Sequence, residues 1–397
     1  MTIEVGALEQ AYADVEATYA VSAGSGGAAL ASTDAIRHLE LSLTAKNNRE
    51  PSPEKRGTPD VQQSLPRRPT QGFNLSSIMW EPSGTIGTIS NVGKFIKAGF
   101  GGNHVLSLAT TVAAGVPTAT GCDLTSAVGV AVGDLIVFEM PDGTMEVTRI
   151  VTVAAPAITY DELSDAPAVG ADALVGITYK LANTITESLS IYKYLNAGGF
   201  KQAVYGAVVD QIQATFDGTK EVLLSIQGPA GRYADSNTTS DAPTEAPPQA
   251  KPASHTTVGA PASGMIGGFF VGDTSFPVIN CQVTINNNLE LRNKELGTRY
   301  ASGIAGRANL RQVMVRVTVY LEDLTLFALA VNSAVTAQPA QLRFVVGNTS
   351  GNMLACVIPA AEFEIPEIGN EIGPKELTLE GVAYATDGND QVYFAEL

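Results

Sequence analysis

Residues 276–322 decide the fold of this 397-residue chain, and two alternating runs stand out in them: CQVTINNNLELR at 281–292 and QVMVRVTVY at 312–320. In the first run Val283 and Ile285 alternate with polar residues, and in the second run valines recur at every other position. A period of two residues is typical of a half-buried β-strand. A Gly-bearing stretch separates the runs, so the pattern predicts one long hairpin. The hairpin carries no nucleophile, base or metal cluster, which leaves backbone pairing and packing as its role.

The composition limits the partners that the chain can have. The sequence contains 24 Lys and Arg against 40 Asp and Glu, a net charge of -16. Holding nucleic acid requires concentrated Lys and Arg, so this balance argues against a nucleic-acid-binding surface. Aromatic residues are sparse while Gly, Ala, Val and Thr are plentiful, which suits many short strands joined by turns.

The cysteines and the N-terminus indicate where the chain is made. Cys122, Cys281 and Cys356 lie far apart without partners at metal-ligand spacing, which predicts free thiols in a reducing compartment. The first residues lack a basic segment followed by an apolar core, and no run of about eighteen apolar residues occurs. We therefore expect synthesis in the cytosol, no membrane span, no cofactor and no metal.

The elements of the opening hairpin have counterparts earlier in the chain. Residues 1–35 mix small and acidic side chains and are predicted to form an arm. A strand at 36–45, a Pro-rich loop at 46–70 and a returning strand at 73–80 follow. A short helix is then predicted at 89–100, because a Gly pair ends the pattern there.

A segment of different character interrupts the first half at about residues 104–183. Small side chains, Gly, and runs of Val and Ile dominate it, and Leu135 to Glu139 and Met145 to Val153 read as a hairpin around a Pro-Asp-Gly turn. We interpret this segment as an inserted small β-barrel. The remaining strands of the first half are predicted at residues 188–194, 202–216 and 221–227.

The second half repeats the order of elements in the first. Pro, Ala, Ser and Thr mark residues 232–275 as a linker. A helix is predicted at 322–332 after the hairpin, with strands at 341–346, 352–365, 375–386 and 391–397. The order strand, loop, strand, helix, strands therefore occurs twice, which predicts a first domain at 36–231 and a second at 276–397. Two sheet domains in one chain suggest that it fills two equivalent positions in a larger ring.

Several segments resemble the tail tube proteins of long-tailed bacteriophages. In the first half they are DAIRHL at 34–39, PSPEKRGTP at 51–59 and LPRR at 65–68. In the second half they are NNNLELR at 286–292, LGT at 296–298, YLED at 320–323, VGN at 346–348 and residues 359–366. The resemblance covers most of the chain outside the arm and the linker, through diffuse structural motifs rather than a catalytic signature.

The resemblance implies a mainly β fold with two tandem tail-tube-like β-sandwich or barrel domains, each with a flanking helix, plus the inserted small β-barrel. In that family, sheets of successive subunits close into a continuous barrel, and rings stack into a hollow tube through which the genome passes. A trimer gives a pseudo-hexameric ring, and a true hexamer is the alternative. The implied partners are the tape measure, terminator and distal tail proteins and passing DNA, in a virion tail assembled in the host cytoplasm.

This interpretation gives two sets of charged residues a role. Carboxylates on the channel wall would repel phosphate and let DNA slide. The candidate lumen-facing acids are Glu290, Glu362, Glu364, Glu376 and Glu380, and the alternative is that they belong to solvated outer faces. The candidate ring-stacking residues, which would dock on an acidic neighbouring subunit, are Arg49, Lys55, Arg56, Arg67, Arg68, Arg299 and Arg307.

Two other classes of protein compete with this interpretation. A glycan hydrolase would need paired carboxylates in a cleft, and no acid pair stands apart from the ordinary strand pattern. A carbohydrate-binding or adhesin sandwich would show a similar strand pattern. Adhesion favours exposed aromatic platforms, however, and this chain offers few aromatic residues. The sequence therefore favours a structural protein over an enzyme.

Overall fold

The computed structural model describes residues 9–20, 30–46, 48–51, 64–66, 68–195, 200–235, 251–252, 254, 262, 267–296, 298, 300–320, 327–328, 331–332, 339–365, 376–386 and 388–397. We call the residues up to 235 the first half and those from 267 the second half.

The strands of the first half that precede the segment at 104–183 or lie within it are β1 Gln10–Val15, β2 Ala35–Ile36, β3 His38–Lys46, β4 Arg49–Pro51, β5 Ser64–Pro66, β6 Thr70–Met79, β7 Gly101–Thr111, β8 Gly121–Asp123, β9 Leu135–Glu139, β10 Met145–Ala154, β11 Ala157–Tyr160 and β12 Asp172–Leu181. They are followed by β13 Leu189–Leu195, β14 Phe200–Ala207, β15 Gln211–Asp217, β16 Leu223–Ala230 and β17 Arg232–Asp235. Helix α1 spans Asn91–Phe100, and a 3-10 turn spans Ser32–Asp34.

The strands of the second half are β18 Gly267–Val271, β19 Thr274–Ser275, β20 Val278–Asn286, β21 Leu289–Leu291, β22 Ile304–Arg307, β23 Gln312–Tyr320, β24 Ala340–Val346, β25 Leu354–Phe363, β26 Glu376–Ala383 and β27 Tyr393–Glu396. Of the helix predicted at 322–332, residues 327–328 and 331–332 are helical, and the other positions lie outside the described residues.

One long antiparallel sheet contains the predicted hairpin. Its strands lie in the order β3-β6-β16-β15-β20-β23-β26, and the end of β25 pairs with β26 at one edge. β20 and β23 pair from Val278 opposite Val319 to Asn286 opposite Gln312, which confirms the predicted hairpin. β15 and β20 come from different halves of the sequence and pair directly. This sheet, which we call the long sheet, is therefore continuous across both halves.

Two outer sheets have matching strand orders. The first is β2-β1-β13-β14-β17, and the second begins β19-β18-β24-β25-β27. The second sheet continues from β27 into β12 and β7 of the first half. Each half therefore contributes four strands of the long sheet and its own outer sheet.

The N-terminal segment differs from the predicted arm, because residues 10–15 form β1 inside the first outer sheet. Ala11, Tyr12 and Ala13 are buried there. The buried Glu16 carboxylate lies at the end of β1 and accepts hydrogen bonds from the Ser188 hydroxyl, at 2.6 Å, and from the Gly206 amide, at 2.8 Å. Buried apolar contacts and a fully bonded carboxylate hold this segment in the sheet.

A common apolar core lies between the long sheet and the outer sheets. It combines side chains of both halves, among them Trp80 and Phe394, whose rings are 5.4 Å apart. Helix α1 packs into this core through Phe95, Ile96 and Phe100. Ser90 caps its N-terminus, and the helix ends where Gly101 takes a left-handed conformation. The structure thereby confirms the helix predicted to end at the Gly pair.

The segment between β7 and β12 has a separate core. The strands close in the order β7-β12-β9-β10-β11-β8, and a bridge from Val112 to Leu124 joins the last to the first. Phe138, Ile150 and Tyr160 lie inside this ring of strands. β9 and β10 form the hairpin predicted for this segment. We call this unit the inserted barrel.

The outside of the inserted barrel packs on the second outer sheet. Leu135 and Val147 of the barrel share a buried cluster with Val345 and Val357 of β24 and β25.

The predicted linker also contributes to the folded body, since β17 pairs with β14 and Ala262 bonds to Trp80 and Val222 through backbone groups. Most positions between β17 and β18 lie outside the described residues.

A buried ion pair joins the inserted barrel to the second half. Arg343 of β24 lies 2.7 Å from the Glu146 carboxylate of β10, and both side chains are fully buried. Arg343 also donates to the Val147 and Gly272 carbonyls, and the Ser164 hydroxyl and amide donate to Glu146. Burial lowers the pKa of Arg343 while the Glu146 carboxylate opposes that shift. The pair therefore fixes the barrel on the sheet at a high desolvation cost.

Candidate functional site: the polar face of the long sheet

One face of the long sheet packs on the core and the other is polar, because the strands alternate. In β20 and β23, Val283, Ile285, Val315 and Val317 are buried. The strand register aligns the intervening side chains in rows across the sheet. The first row is Ser42, Asn74, Gln227, Gln211, Asn286 and Gln312. The second row includes Gln213, Thr284, Met314 and Val382. The third row includes Thr215, Gln282, Arg316 and Glu380. Neutral amides and hydroxyls therefore dominate this surface, which we call the polar face.

Four of the five predicted lumen-facing acids lie together on the polar face. Glu376 and Glu380 project from β26, where they oppose Tyr320 and Arg316. Glu362 opposes Val382 across the β25–β26 pairing, and the Glu364 amide donates to the Glu380 carbonyl at 2.8 Å. The four acids form an acidic strip along one edge of the sheet.

Glu290 lies elsewhere. It belongs to β21, which pairs with β22 in a separate two-stranded sheet beyond the end of β20. Its side chain is 54% exposed and lies 3.9 Å from the Lys294 ammonium. Glu290 is thus at the tip of the long hairpin, apart from the acidic strip.

A cation that the sequence interpretation did not single out lies beside the acidic strip. The Arg316 Nε atom is 3.3 Å from a Glu380 carboxylate oxygen. Together with Glu364, Met314 and Val382 this pair lines a shallow crevice of about 250 Å³. The alternation in β23 predicts that Arg316 lies on the polar side. Its pairing with Glu380 follows from the register between β23 and β26.

Two of the predicted stacking residues, Arg68 and Arg307, lie at the end of the long sheet from which both hairpin loops extend. β4 and β5 pair with each other inside the Pro-rich loop. Arg68 donates to the carbonyls of Glu295 and Thr298 at 2.8 and 2.5 Å, which ties this loop to the loop of the second hairpin. Arg307 donates to the Asn183 carbonyl at 2.6 Å. Of the other predicted residues, Lys55, Arg56, Arg67, Arg299 and the Arg49 side chain lie outside the described residues.

The long hairpin bends where Asn287 and Asn288 follow β20. The fully buried Asn287 amide donates to the Gly99 carbonyl at 2.8 Å and its oxygen accepts from Arg311 at 3.0 Å. Asp210 accepts from the Leu289 amide at 2.6 Å, and burial raises the pKa of this carboxyl. These bonds attach the bend to the end of helix α1 and set the direction of the hairpin tip.

We expect Asn287→Ala to lower the free energy of unfolding by about 1–3 kcal/mol, because it leaves buried hydrogen-bonding groups without partners. Asn286→Ala is the matched control, since Asn286 faces the polar side, and it should change stability by less than about 0.5 kcal/mol. Urea unfolding followed by circular dichroism measures both variants. Equal losses in the two would contradict the anchoring role of Asn287.

The described part of the chain shows neither a metal centre nor a membrane helix. No group of three or more His, Cys, Asp or Glu is placed to hold a metal ion. No described helix is both long and apolar enough to cross a bilayer.

Comparison with known proteins gives one result that fits this geometry. A family model described as phage tail tube protein matches residues 101–384, which include the inserted barrel and the long hairpin. A search of the curated proteins found no match.

Proposed function

The chain belongs to the phage tail tube protein family and is a structural component of the virion tail, and we propose that its copies join edge to edge into rings that stack into a conduit for DNA. The observation that carries this proposal is the β15–β20 junction, where two four-stranded units of the long sheet already join side by side. A ring repeats that junction between chains.

The edges of the long sheet fit such a repeat. β3 pairs with β6 on one side, and no described strand pairs with its other side. At the opposite edge the end of β25 pairs with β26. Eight strands that alternate in direction leave edge strands that run in opposite directions, so a neighbouring copy continues the antiparallel pattern. Unpaired edges are a hazard that closure into a ring removes.

The two halves of the chain support a ring of three chains with six similar units. The tandem division expected at 36–231 and 276–397 is part of this proposal, which extends each unit toward its N-terminal side to include β1 and β18, the matching first strands of the outer sheets. A ring of six chains is the competing arrangement. Negative-stain microscopy of the purified full-length chain tests the proposal: we expect rings or tubes whose averaged end views have three-fold symmetry, and discrete single particles would refute it.

Leu39→Asp tests the edge directly. Leu39 lies on β3 and is 67% exposed, so a neighbouring copy would cover it, and a carboxylate there would be buried in the contact without a partner. We expect the variant to fold but to form few rings. Val116→Asp, at a 91% exposed valine of the inserted barrel, should assemble normally. Equal assembly of the two variants in microscopy and size-exclusion chromatography would rule out β3 as the ring edge.

The polar face suits the wall of the conduit. Its amides and hydroxyls offer weak, neutral contacts, and its acidic strip repels phosphate, so passing DNA gains little affinity. The proposed lumen-facing acids are Glu362, Glu364, Glu376 and Glu380, and Glu290 is proposed for the ring-stacking end instead.

The inserted barrel supports the same orientation. It packs on the second outer sheet, on the side of the molecule opposite the polar face. If the polar face lines the channel, the barrel decorates the exterior. A density map that places residues 104–183 inside the channel would refute this. Contacts with tape measure, terminator and distal tail proteins, and assembly in the host cytoplasm, complete the proposal.

A further inference from the structure

The acidic strip includes one ion pair that points to a specific function. Arg316 and Glu380 face each other across the β23–β26 pairing, with 3.3 Å between the Nε atom and a carboxylate oxygen. Their side chains are 58% and 60% exposed. Glu364 lies on the other side of Glu380, since its amide bonds to the Glu380 carbonyl. Arg316 thus has carboxylates on one flank and neutral Gln282 on the other.

Stability does not account for this pair. An exposed ion pair contributes about 0–1 kcal/mol to folding, because water screens the charges and two long side chains lose freedom. Val315 and Val317 anchor β23 in the core on either side of Arg316 without help from its charge. The main consequence of the pair is therefore its effect on the affinity of the polar face for phosphate.

An unpaired arginine on this face would bind DNA. The planar guanidinium presents donors that match a phosphate in bidentate geometry, which makes it a strong phosphate ligand. Each phosphate that a cation neutralises also releases counterions and adds to affinity. Inside a conduit such a contact would recur in every ring and slow the passage of DNA.

We propose that Glu380, supported by Glu364, masks Arg316 and keeps its guanidinium from DNA phosphates. This role rests on the proposed function, because it requires the polar face to line the channel. Glu380 thus lowers the affinity of the channel wall for DNA. The same row continues into the first half through Thr215, Leu223 and Met79, which carry no charge, so Arg316 is the cation of this row.

The test compares three variants with the wild-type chain. Glu380→Gln removes the mask, and Glu376→Gln is the matched control, because it removes the same charge from the same strand and face. Arg316→Gln combined with Glu380→Gln removes the cation as well. All substitutions are at exposed positions, and circular dichroism and microscopy check folding and assembly first. Tubes are then assembled with a short labelled DNA duplex, sedimented at a series of salt concentrations, and the retained duplex is measured.

We expect only Glu380→Gln to retain the duplex, with a slope of log affinity against log salt that is steeper by about 1 for each phosphate that Arg316 reaches. The double variant should release the duplex as the wild type does. Equal retention by Glu380→Gln and Glu376→Gln, or retention by the double variant, would overturn the masking role while leaving the conduit intact. Failure of the wild-type chain to form tubes would overturn the proposed function itself, and the masking role with it.

Discussion

Deletion of residues 49–69 is expected to leave a soluble, folded chain that no longer forms long tubes. Within the described residues, β4 and β5 of this loop pair only with each other, and Arg68 is its bonded link to the second hairpin loop. The β3–β6 pairing ends at Lys46 and Thr70, so the deletion spares the long sheet and its core. β4 and β5 follow and precede the last pair of the β3–β6 ladder, at the end of the sheet that we propose contacts a stacked ring.

Size-exclusion chromatography and circular dichroism establish that the deletion variant folds, and negative-stain microscopy counts rings and tubes. We expect rings to persist, because the proposed ring closure uses the strand edges and not this loop. Arg68→Ala is a milder companion that keeps the loop and removes its tie, so it should give shorter tubes. Tubes of normal length from the deletion variant would exclude the loop from ring stacking.

Arg343→Met is expected to lower the free energy of unfolding by about 3–5 kcal/mol, because it leaves the Glu146 carboxylate buried without its partner. The substitution also removes the donors to Val147 and Gly272. Combining it with Glu146→Leu should restore stability to within about 1 kcal/mol of the wild type, since a buried ion pair replaced by apolar groups is often neutral. The double-mutant cycle in urea gives the coupling between the two side chains.

Arg316→Gln is the matched control for this cycle, because it breaks an Arg–Glu pair of the same chemistry that is more than half exposed. Its cost should stay below about 1 kcal/mol. If Arg343→Met and Arg316→Gln cost the same, burial of the Arg343–Glu146 pair has no energetic consequence and the inserted barrel is held by its apolar contacts alone.

Local pattern was enough to predict the elements whose two faces differ in polarity. Val313 to Val319 are buried at every other position, because one face of β23 meets the core and the other does not. Helix α1 was predictable because Gly101 interrupts it at a position that needs a left-handed backbone. Each signal is local, because the residues that carry it lie within a few positions of one another in the sequence.

Long-range geometry was harder to predict. Residues 202–216 look like one strand, yet the structure divides them between β14 of an outer sheet and β15 of the long sheet. The chain crosses from one sheet to the other at Val208 to Asp210. These residues continue the strand-like sequence pattern, so the sequence gives no sign of the crossing. β1 was missed for a different reason: its alternation is weak, and its stability comes from burial against β13, which is distant in sequence.

The candidate site divides in the same way. Alternation placed Glu362, Glu364, Glu376 and Glu380 on polar strand faces, and the register then brought them into one strip. Nothing local distinguishes Glu290 from them, because only the bend at Asn287 carries β21 away from the sheet. The pairing of Arg316 with Glu380 depends on the register of strands about sixty residues apart, which a single sequence does not encode locally.

The pairing of β15 with β20 also has a thermodynamic consequence for assembly. Each free molecule that joins a complex loses translational and rotational freedom, at a cost of about 4–15 kcal/mol. The covalent connection between the halves makes this junction intramolecular, so in a ring of three chains every second seam forms without that loss. The effective concentration of one unit beside the other is set by the chain itself. Rings should therefore close at protein concentrations too low for the same units on separate chains.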